Sequence, residues 1–364
     1  EIEPANVSAL RAKAEILAKQ GHTEELEVVL NQLEQASPDT GLGAFGKGRL
    51  YKSQKKYAEA VVEYEKALQH EPGSILALNE LVNTEIAMGN ADGAIERVKG
   101  VLEEDPEHQV AHDLLGLAYV AKEDFTAAEA AFVKQSEVNP KSNVVYLQIA
   151  GARAKQGDME GAVKAIEQGL DVLPDNSRLL LGLARLQISQ GDLDAAASTY
   201  QQGLASTPDN TAFPLGLAGV YEQQGKFDES ISIYEQMLET NPDILVAVNN
   251  LAALLADHRK DEQSLSKAME LASRLADAEQ PALLDTLGWV HYRTGKYDQA
   301  VSVLTDVVEK APDVPVFNYH LGMAYYKQGN KEAAREYLSK AVDEQSRYPG
   351  IEEARQVLSE IGGA

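Results

Sequence analysis

Apolar positions along this 364-residue chain recur with a period of 34. When each repeat is numbered from 1 to 34, position 8 is Gly or Ala in nine of ten repeats, and position 20 is Ala in seven. Position 24 is commonly large, as at Tyr64, Phe132, Tyr200 and Tyr234. Small residues are needed where two helix backbones cross closely, and large residues fill the space that they leave. The pattern therefore predicts two packed helices in every repeat.

Glycine and proline mark the ends of these helices. Seven repeats carry Gly at position 15, where a helix must end in a left-handed turn before the next begins. These turn glycines are Gly21, Gly89, Gly157, Gly191, Gly225, Gly295 and Gly329. Eight prolines at an unbroken spacing of 34 mark position 32, namely Pro4, Pro38, Pro72, Pro106, Pro140, Pro174, Pro208 and Pro242. Each repeat is thus predicted to be helix, tight turn, helix.

A single unit of this size cannot bury its own apolar face, so the repeats must stack. They start at residues 7, 41, 75, 109, 143, 177, 211, 245, 281 and 315. This pattern resembles the tetratricopeptide repeat, and repeat four, with Gly116, Ala128 and Phe132, matches it most fully together with repeat ten. Leu26 departs from it at position 20. The resemblance implies an all-α, right-handed superhelical solenoid of about ten helix pairs over residues 7–348.

The two ends and repeat eight differ from the regular pattern. Pro4 matches position 32 of an earlier repeat, so residues 1–6 are interpreted as the tail of one, in a fragment with more sequence upstream. Pro349-Gly350 ends the repeats, and an apolar stripe from Ile351 to Ile361 predicts a capping helix within 349–364. Repeat eight has 36 residues, and aligning Ala268 with position 20 predicts about four extra residues in the turn 257–262.

Composition narrows the chemistry. The absence of cysteine removes disulfides and thiolate metal sites, and no apolar run approaches the ~18 residues of a membrane span. A Gly-Leu-Gly-Ala-Phe-Gly run at 41–46 has the spacing of a dinucleotide fingerprint but lacks the preceding strand. His108 and His112 could share a metal on one helical face, although without a third ligand a capping and a packed histidine are favoured. No catalytic residue, cofactor or metal is predicted.

Charge is distributed unevenly. The formal net charge of −24 argues against nucleic acid as a general partner. In the family that the chain resembles, positions 2, 5, 9, 12 and 13 of each first helix line the concave groove. In this chain those positions carry nine basic residues, namely Arg11, Lys19, Arg49, Lys52, Lys155, Arg178, Arg185, Arg293 and Lys327. They also carry five acidic residues, namely Glu15, Asp113, Glu222, Asp257 and Asp285. The resemblance therefore implies a basic groove.

The candidate binding residues follow from the same positions. Repeats nine and ten concentrate aromatic side chains with methionine and basic residues, a composition typical of binding hot spots. The predicted partner-binding residues are Trp289, Tyr292, Arg293, Tyr319, Met323, Tyr326 and Lys327, together with Arg178, Arg185, Arg49 and Lys52. The alternative is that the aromatic side chains only pack between adjacent helices.

We therefore expect a non-catalytic scaffold that binds a peptide segment or partner protein in its groove, with an acidic segment as one candidate. Two alternatives are binding of an anionic polysaccharide during export and service as the targeting arm of a larger enzyme. Inter-repeat turns such as Asn-Pro-Lys-Ser and the run Asp285–Trp289 resemble bacterial envelope repeat lipoproteins and the scaffolds of exopolysaccharide and protein-sorting systems. That resemblance implies the bacterial periplasm or an outer-membrane-associated site, with the cytoplasm as the other location.

Overall fold

The computed structural model describes residues 6–342 and 347–362, and within these ranges it contains helices and no strand. The first helices of the repeats are α1 Val7–Gln20, α3 Leu42–Ser53, α5 Ile75–Ala87, α7 Gln109–Ala121, α9 Asn143–Lys155, α11 Ser177–Ser189, α13 Ala212–Gln223, α15 Leu245–His258, α17 Pro281–Arg293 and α19 Pro315–Gln328. The second helices are α2 Thr23–Ala36, α4 Tyr57–His70, α6 Ala91–Glu104, α8 Phe125–Val138, α10 Met159–Val172, α12 Leu193–Ser206, α14 Phe227–Thr240, α16 Glu262–Ser273, α18 Tyr297–Lys310 and α20 Lys331–Ala341. A last helix, α21, spans Ile351–Gly362.

The predicted all-α solenoid of helix pairs is confirmed. The helices form two compact units, an N-terminal unit that ends at Gln190 and a C-terminal unit that begins at Gly191. Residues 1–5, which hold most of the predicted tail of an earlier repeat, lie outside the described residues, as do 343–346 and 363–364.

Positions 8 and 24 pack against each other within a repeat, as their sizes predict. A Cβ added to Gly116 would lie 2.2 Å from the Phe132 ring, and one added to Gly48 would lie 2.6 Å from the Tyr64 ring. Both rings are fully buried. Glycine at position 8 therefore makes room for an aromatic ring from the second helix.

The seven turn glycines all adopt positive φ, between 72° and 94°. Two further repeats make the same turn without glycine, because Lys55 and Glu123 at position 15 have φ of 59° and 61°. This backbone region is unfavourable for residues with a Cβ. The sequence did not indicate these two strained positions.

Polar side chains connect successive repeats at a recurring pair of positions. Lys122 Nζ lies 2.6 Å from Asp92 Oδ1, which is 30 residues earlier. In the C-terminal unit Gln224 and Gln328 donate in the same way to Asp194 and Asp298, each at 2.8 Å. These contacts link the end of one first helix to the start of the preceding second helix.

Repeat eight accommodates its extra residues differently from the prediction. The connection between α15 and α16 is only Arg259-Lys260-Asp261, as short as the 88–90 connection between α5 and α6. The additional residues are helical instead, since Ala268 is the seventh residue of α16 whereas Ala94 is the fourth of α6. Asp261 accepts a hydrogen bond from the Ser264 amide at 2.9 Å and so caps α16.

The helix after the last repeat, α21, packs against repeat ten within the C-terminal unit. Ala354, Val357 and Ile361 of α21 are buried in one cluster with Leu338 of α20. A Cβ on Gly350, just before α21, would lie 2.4 Å from the Tyr319 ring. The start of α21 therefore lies directly against a first helix of repeat ten.

Candidate binding surfaces

The basic residues predicted for the groove of the N-terminal unit are mostly exposed. The side chains of Arg49, Arg178 and Arg185 make no ion pair or hydrogen bond with any described residue. Lys52 is half-buried, and its Nζ lies 2.7 Å from Glu80 Oε2. Three of the four cations predicted as partner-binding residues in this unit are thus available to an external partner.

Exposed apolar side chains lie on first helices of the same unit. Leu76 and Val144, both at position 2, are 68% and 42% exposed. Position 2 is a groove position in the resembled family. These side chains can add apolar contact area beside charged contacts.

A cavity of about 460 Å³ lies among α1, α2 and α3. Its walls are largely apolar, and its lining includes Leu17, Leu26, Leu30, Leu33, Leu42, Phe45 and Leu50. Arg11, Glu15 and Arg49 also line it. An apolar cavity with a few charged groups is the usual character of a binding pocket.

In the C-terminal unit Trp289 is at the centre of the predicted aromatic cluster. Its ring stacks on Tyr292 with centroids 4.5 Å apart and on His320 with centroids 4.1 Å apart, and it packs against Tyr319 at 5.6 Å. Its Nε1 donates to Asp257 Oδ1 at 2.8 Å. Trp289 is only 7% exposed, so one edge of the ring at most is open to a partner.

The other predicted residues of this cluster separate into two layers. Tyr292, Tyr319 and Met323 are buried in the hydrophobic core, and burial raises the pKa of both tyrosines. Tyr326 is half-buried and donates to Glu360 at 2.9 Å, and Lys327 lies over its ring. Packing is therefore part of the role of the buried layer. Partner binding by the cluster stays a prediction.

A cavity of about 750 Å³ lies beside this cluster, within the C-terminal unit. The predicted residues Trp289, Arg293 and Tyr319 line it. Charged, polar and aromatic side chains that also line it are Glu222, Gln223, Phe227, Asn250, Asp257, His258, Asp285, Thr286, His320 and Glu353. We call it the acidic-aromatic cavity.

The polar groups of the acidic-aromatic cavity are held in place by hydrogen bonds. Arg293 Nη1 donates to Asp257 Oδ1 at 3.0 Å, with its guanidinium 5.9 Å from the Trp289 centroid. His320 Nδ1 lies 2.9 Å from both carboxylate oxygens of Asp285. Tyr319 donates to Glu353 Oε2 at 2.8 Å. Most of these side chains are therefore held in place before any ligand binds.

His320 and Glu353 were not among the site residues predicted from the sequence. His320 lies 35 residues after Asp285, and Glu353 lies 34 residues after Tyr319. Polar residues one repeat apart can meet across stacked first helices. A search at that spacing would have found both pairs.

The two histidines considered for metal binding have structural contacts. His108 precedes α7, and its Nδ1 accepts a hydrogen bond from the Ala111 amide at 3.1 Å. His112 Nε2 donates to the Pro106 carbonyl at 2.8 Å. The capping and packing interpretations are confirmed by these contacts. Residues 6–342 and 347–362 contain no group of three or more potential metal ligands.

The glycine run at 41–46 lies at the start of α3 and follows helix α2 rather than a strand. Among the described residues, no helix combines the length and the apolar character that crossing a membrane requires.

Two family models match the sequence over most of its length. One model described as tetratricopeptide repeat matches residues 52–118, 85–151, 153–213 and 187–257, and a second model of that description matches 286–349. Together the matches cover more than half of the sequence. The chain belongs to the tetratricopeptide repeat family, a fold that serves in general as a scaffold for protein–protein interaction.

Solved structures of several repeat proteins are similar. A tetratricopeptide repeat protein from Parabacteroides merdae is 17% identical with a TM-score of 0.42, and the match covers 79% of this chain and 99% of that one. A thermophilic repeat protein, TTC0263 from Thermus thermophilus, is 24% identical with a TM-score of 0.37, covering 50% of this chain and 98% of that one.

A structure of Naa15/Naa10 bound to HypK-THB is 18% identical with a TM-score of 0.39. That match covers 98% of this chain, which spans 60% of the other chain's length. No curated protein sequence gives a significant match. With TM-scores below 0.5, these structures carry no functional argument.

Proposed function

We propose that the protein is a non-catalytic scaffold whose N-terminal unit binds an acidic peptide segment of a partner protein. One observation carries the proposal. The arginines that lack an ion pair or side-chain hydrogen bond among the described residues are Arg11, Arg49, Arg178 and Arg185, and all lie on first helices of the N-terminal unit. In a chain with a net charge of −24, intramolecular acidic partners are plentiful. Four guanidiniums on these helices without a carboxylate partner in the described part of the chain favour a carboxylate-bearing ligand.

The apolar cavity of about 460 Å³ among α1, α2 and α3 indicates which kind of acidic segment would fit. Arg11 and Arg49 both line it, so charged donors and an apolar pocket occur together. A segment with an apolar side chain next to Asp or Glu would use both features, because the side chain would bury apolar surface while a carboxylate met a guanidinium. This combination favours a peptide over a polysaccharide, which would leave the leucine walls without an apolar partner.

We also propose that the protein acts in the bacterial envelope, in the periplasm or at the outer membrane. The support is the resemblance of its inter-repeat turns and of the run Asp285–Trp289 to envelope repeat proteins.

The test uses a random peptide display library panned against the full chain and against an Arg178→Gln/Arg185→Gln variant. The matched control is Lys134→Gln/Lys164→Gln, which removes two charges from exposed sites on second helices. We expect peptides rich in Asp and Glu to be enriched on the wild type and the control, and about tenfold weaker binding by the variant at low salt.

Equal loss in both double variants would show that only overall charge matters. Selective binding of polygalacturonate, with no enrichment of acidic peptides, would replace the proposal with polysaccharide binding.

A further inference from the structure

The acidic-aromatic cavity differs chemically from the groove of the N-terminal unit. Its walls are stacked rings, with Trp289 on His320 and Phe227 on His258, the latter pair at 3.5 Å and 14° between planes. Aromatic faces carry partial negative charge and attract cations placed over them. A cavity of about 750 Å³ is large enough for one long side chain and the backbone that carries it.

Carboxylates outnumber cations around the cavity. Glu222, Asp257, Asp285 and Glu353 line it, whereas Arg293 is the only Lys or Arg among its lining residues. Two of the four are held by neutral donors, since Tyr234 donates to Glu222 at 2.9 Å and Tyr319 donates to Glu353. Neutral donors fix a carboxylate without cancelling its charge. A recess with low-dielectric walls concentrates the resulting negative potential.

The chain's own Arg293 shows the type of contact that this cavity makes. Its guanidinium lies over the Trp289 ring and bonds both to the Asp257 carboxylate and, at 3.2 Å, to the Asp257 carbonyl. Asp257 is therefore already paired with a cation of the chain itself. Asp285 faces His320, while Glu222 and Glu353 have no cationic partner among the described residues.

We propose that the acidic-aromatic cavity binds a lysine or arginine side chain presented by a partner peptide. The incoming cation would lie against the aromatic wall, with Glu353 and Glu222 as its counter-charges. This goes beyond the proposed function, because it assigns a second site in the C-terminal unit with the opposite charge preference. It does not depend on whether the N-terminal unit binds an acidic segment.

The first test compares peptides selected from a random display library by the full-length wild type and by a Glu222→Gln/Glu353→Gln variant. Gln keeps an acceptor for Tyr234 and for Tyr319, and the Arg293–Asp257 ion pair is left intact, while two charges are lost. Asp306→Asn/Glu309→Gln on α18 removes the same charge from an exposed surface and is the control. We expect Lys- and Arg-containing peptides on the wild type and the control and their loss from the cavity variant. Acidic peptides should be retained by all three.

The second test uses Trp289 as a local reporter, because it is the only tryptophan in the chain. A selected Arg peptide should change tryptophan fluorescence saturably, and the same peptide with citrulline in place of Arg should bind about tenfold or more weakly. Circular dichroism and thermal melting confirm that the variants are folded. If the double variant does not fold, Glu353→Gln alone replaces it, with a smaller expected loss of affinity.

Three results would overturn the proposal. They are equal enrichment of cationic peptides on wild type and cavity variant, equal affinity for the citrulline peptide, and binding without a change in tryptophan fluorescence. Loss of acidic-peptide binding while the cationic peptides still behave as expected would instead contradict only the function proposed for the N-terminal unit.

Discussion

Lys55 and Glu123 offer a direct measure of the strain stored in the turns of the repeats. Both occupy position 15 with positive φ, where seven other repeats have glycine. In this left-handed region a residue with a Cβ destabilises the folded state by roughly 1 to 2 kcal/mol relative to glycine. Glycine in turn favours the unfolded chain by about 0.5 to 1 kcal/mol, because it loses more conformational entropy on folding. Each of Lys55→Gly and Glu123→Gly should therefore raise the free energy of unfolding by about 0.5 to 1 kcal/mol.

The structure supports reading this as a pure backbone effect. The Lys55 and Glu123 side chains are exposed and make no ion pair or hydrogen bond with described residues, so their removal costs no contact. The reverse change, Gly157→Ala, places a Cβ where no heavy atom other than those of residue 157 and its two chain neighbours lies within 4 Å. It should destabilise by about 1 kcal/mol through the backbone alone. Lys55→Asn should fall between Lys and Gly, because Asn tolerates this region better than most residues.

The assay is urea unfolding followed by circular dichroism, with hydrogen exchange of α3, α4, α7 and α8 to assign any change to the altered repeat. Repeat proteins unfold in steps, so the transition that contains the mutated repeat is the one to compare. Lys55 and Glu123 lie two repeats apart, and their effects should add. If both glycine variants are unchanged or less stable while Gly157→Ala loses nothing, backbone strain at position 15 is not the cause.

Two further predictions concern buried charge. Arg97→Gln should lower the free energy of unfolding by about 2 to 3 kcal/mol, because Glu85, which accepts from Arg97 Nη2 and Nε at 3.2 Å, would remain buried without its cation. In urea unfolding, the double variant Arg97→Met/Glu85→Leu should lose less stability than Arg97→Gln. An equal loss in the two variants would contradict the explanation. Burial, with a smaller contribution from Lys296, lowers the pKa of His291 from its ordinary 6.5, so the unfolded chain binds more protons and stability should fall as pH drops below 6.5. His291→Leu should flatten the change in urea midpoint between pH 7.5 and 5.5, and an unchanged pH dependence would refute it.

The sequence predicted the features of the fold that depend on local residue size and turn chemistry. Glycine at position 8 and a bulky side chain at position 24 belong to one repeat, so their contact follows from the helix period alone, as at Gly116 and Phe132. The turn glycines are equally local. Lys55 and Glu123 were missed because packing of the flanking helices imposes the turn even where the residue resists it.

Repeat eight shows the limit of alignment by length. The sequence shows that residues are added, but whether they form a turn or helix depends on where α15 ends and which residue caps α16. Arg259 adopts an extended conformation and Asp261 caps, which leaves a three-residue connection. Asp257 and Asp261 are both suitable caps by residue type, so the sequence alone could not place the helix start.

The candidate site required information from neighbouring repeats. Trp289 and Tyr326 occupy groove positions 9 and 12, yet the first is nearly buried and the second half-exposed. The difference comes from residues one repeat away, because His320 and Tyr319 pack on Trp289. Tyr326 instead lies at the edge of the core and donates to Glu360 of α21. The position of a residue within its repeat predicts the direction of its side chain, but it does not predict which residues of the next repeat cover that side chain.

The net charge of the groove positions also differs from one part of the chain to another. Counted over all ten repeats, the groove positions carry an excess of basic residues. Taken by structural unit, the N-terminal unit holds seven of the nine basic residues and two of the five acidic ones, namely Glu15 and Asp113. The C-terminal unit holds Arg293 and Lys327 against Glu222, Asp257 and Asp285.

Pairing increases this contrast between the units. Arg293 forms an ion pair with Asp257, whereas Arg178 and Arg185 have no ion pair with a residue that the structure describes. An electrostatic interaction with a ligand depends on the charges within about 8 to 10 Å at physiological salt, so a sum over the whole chain has little bearing on any one site. Ligand chemistry in this protein should therefore be assigned to each unit separately, with carboxylate ligands tested on the N-terminal unit and cationic ligands on the C-terminal unit.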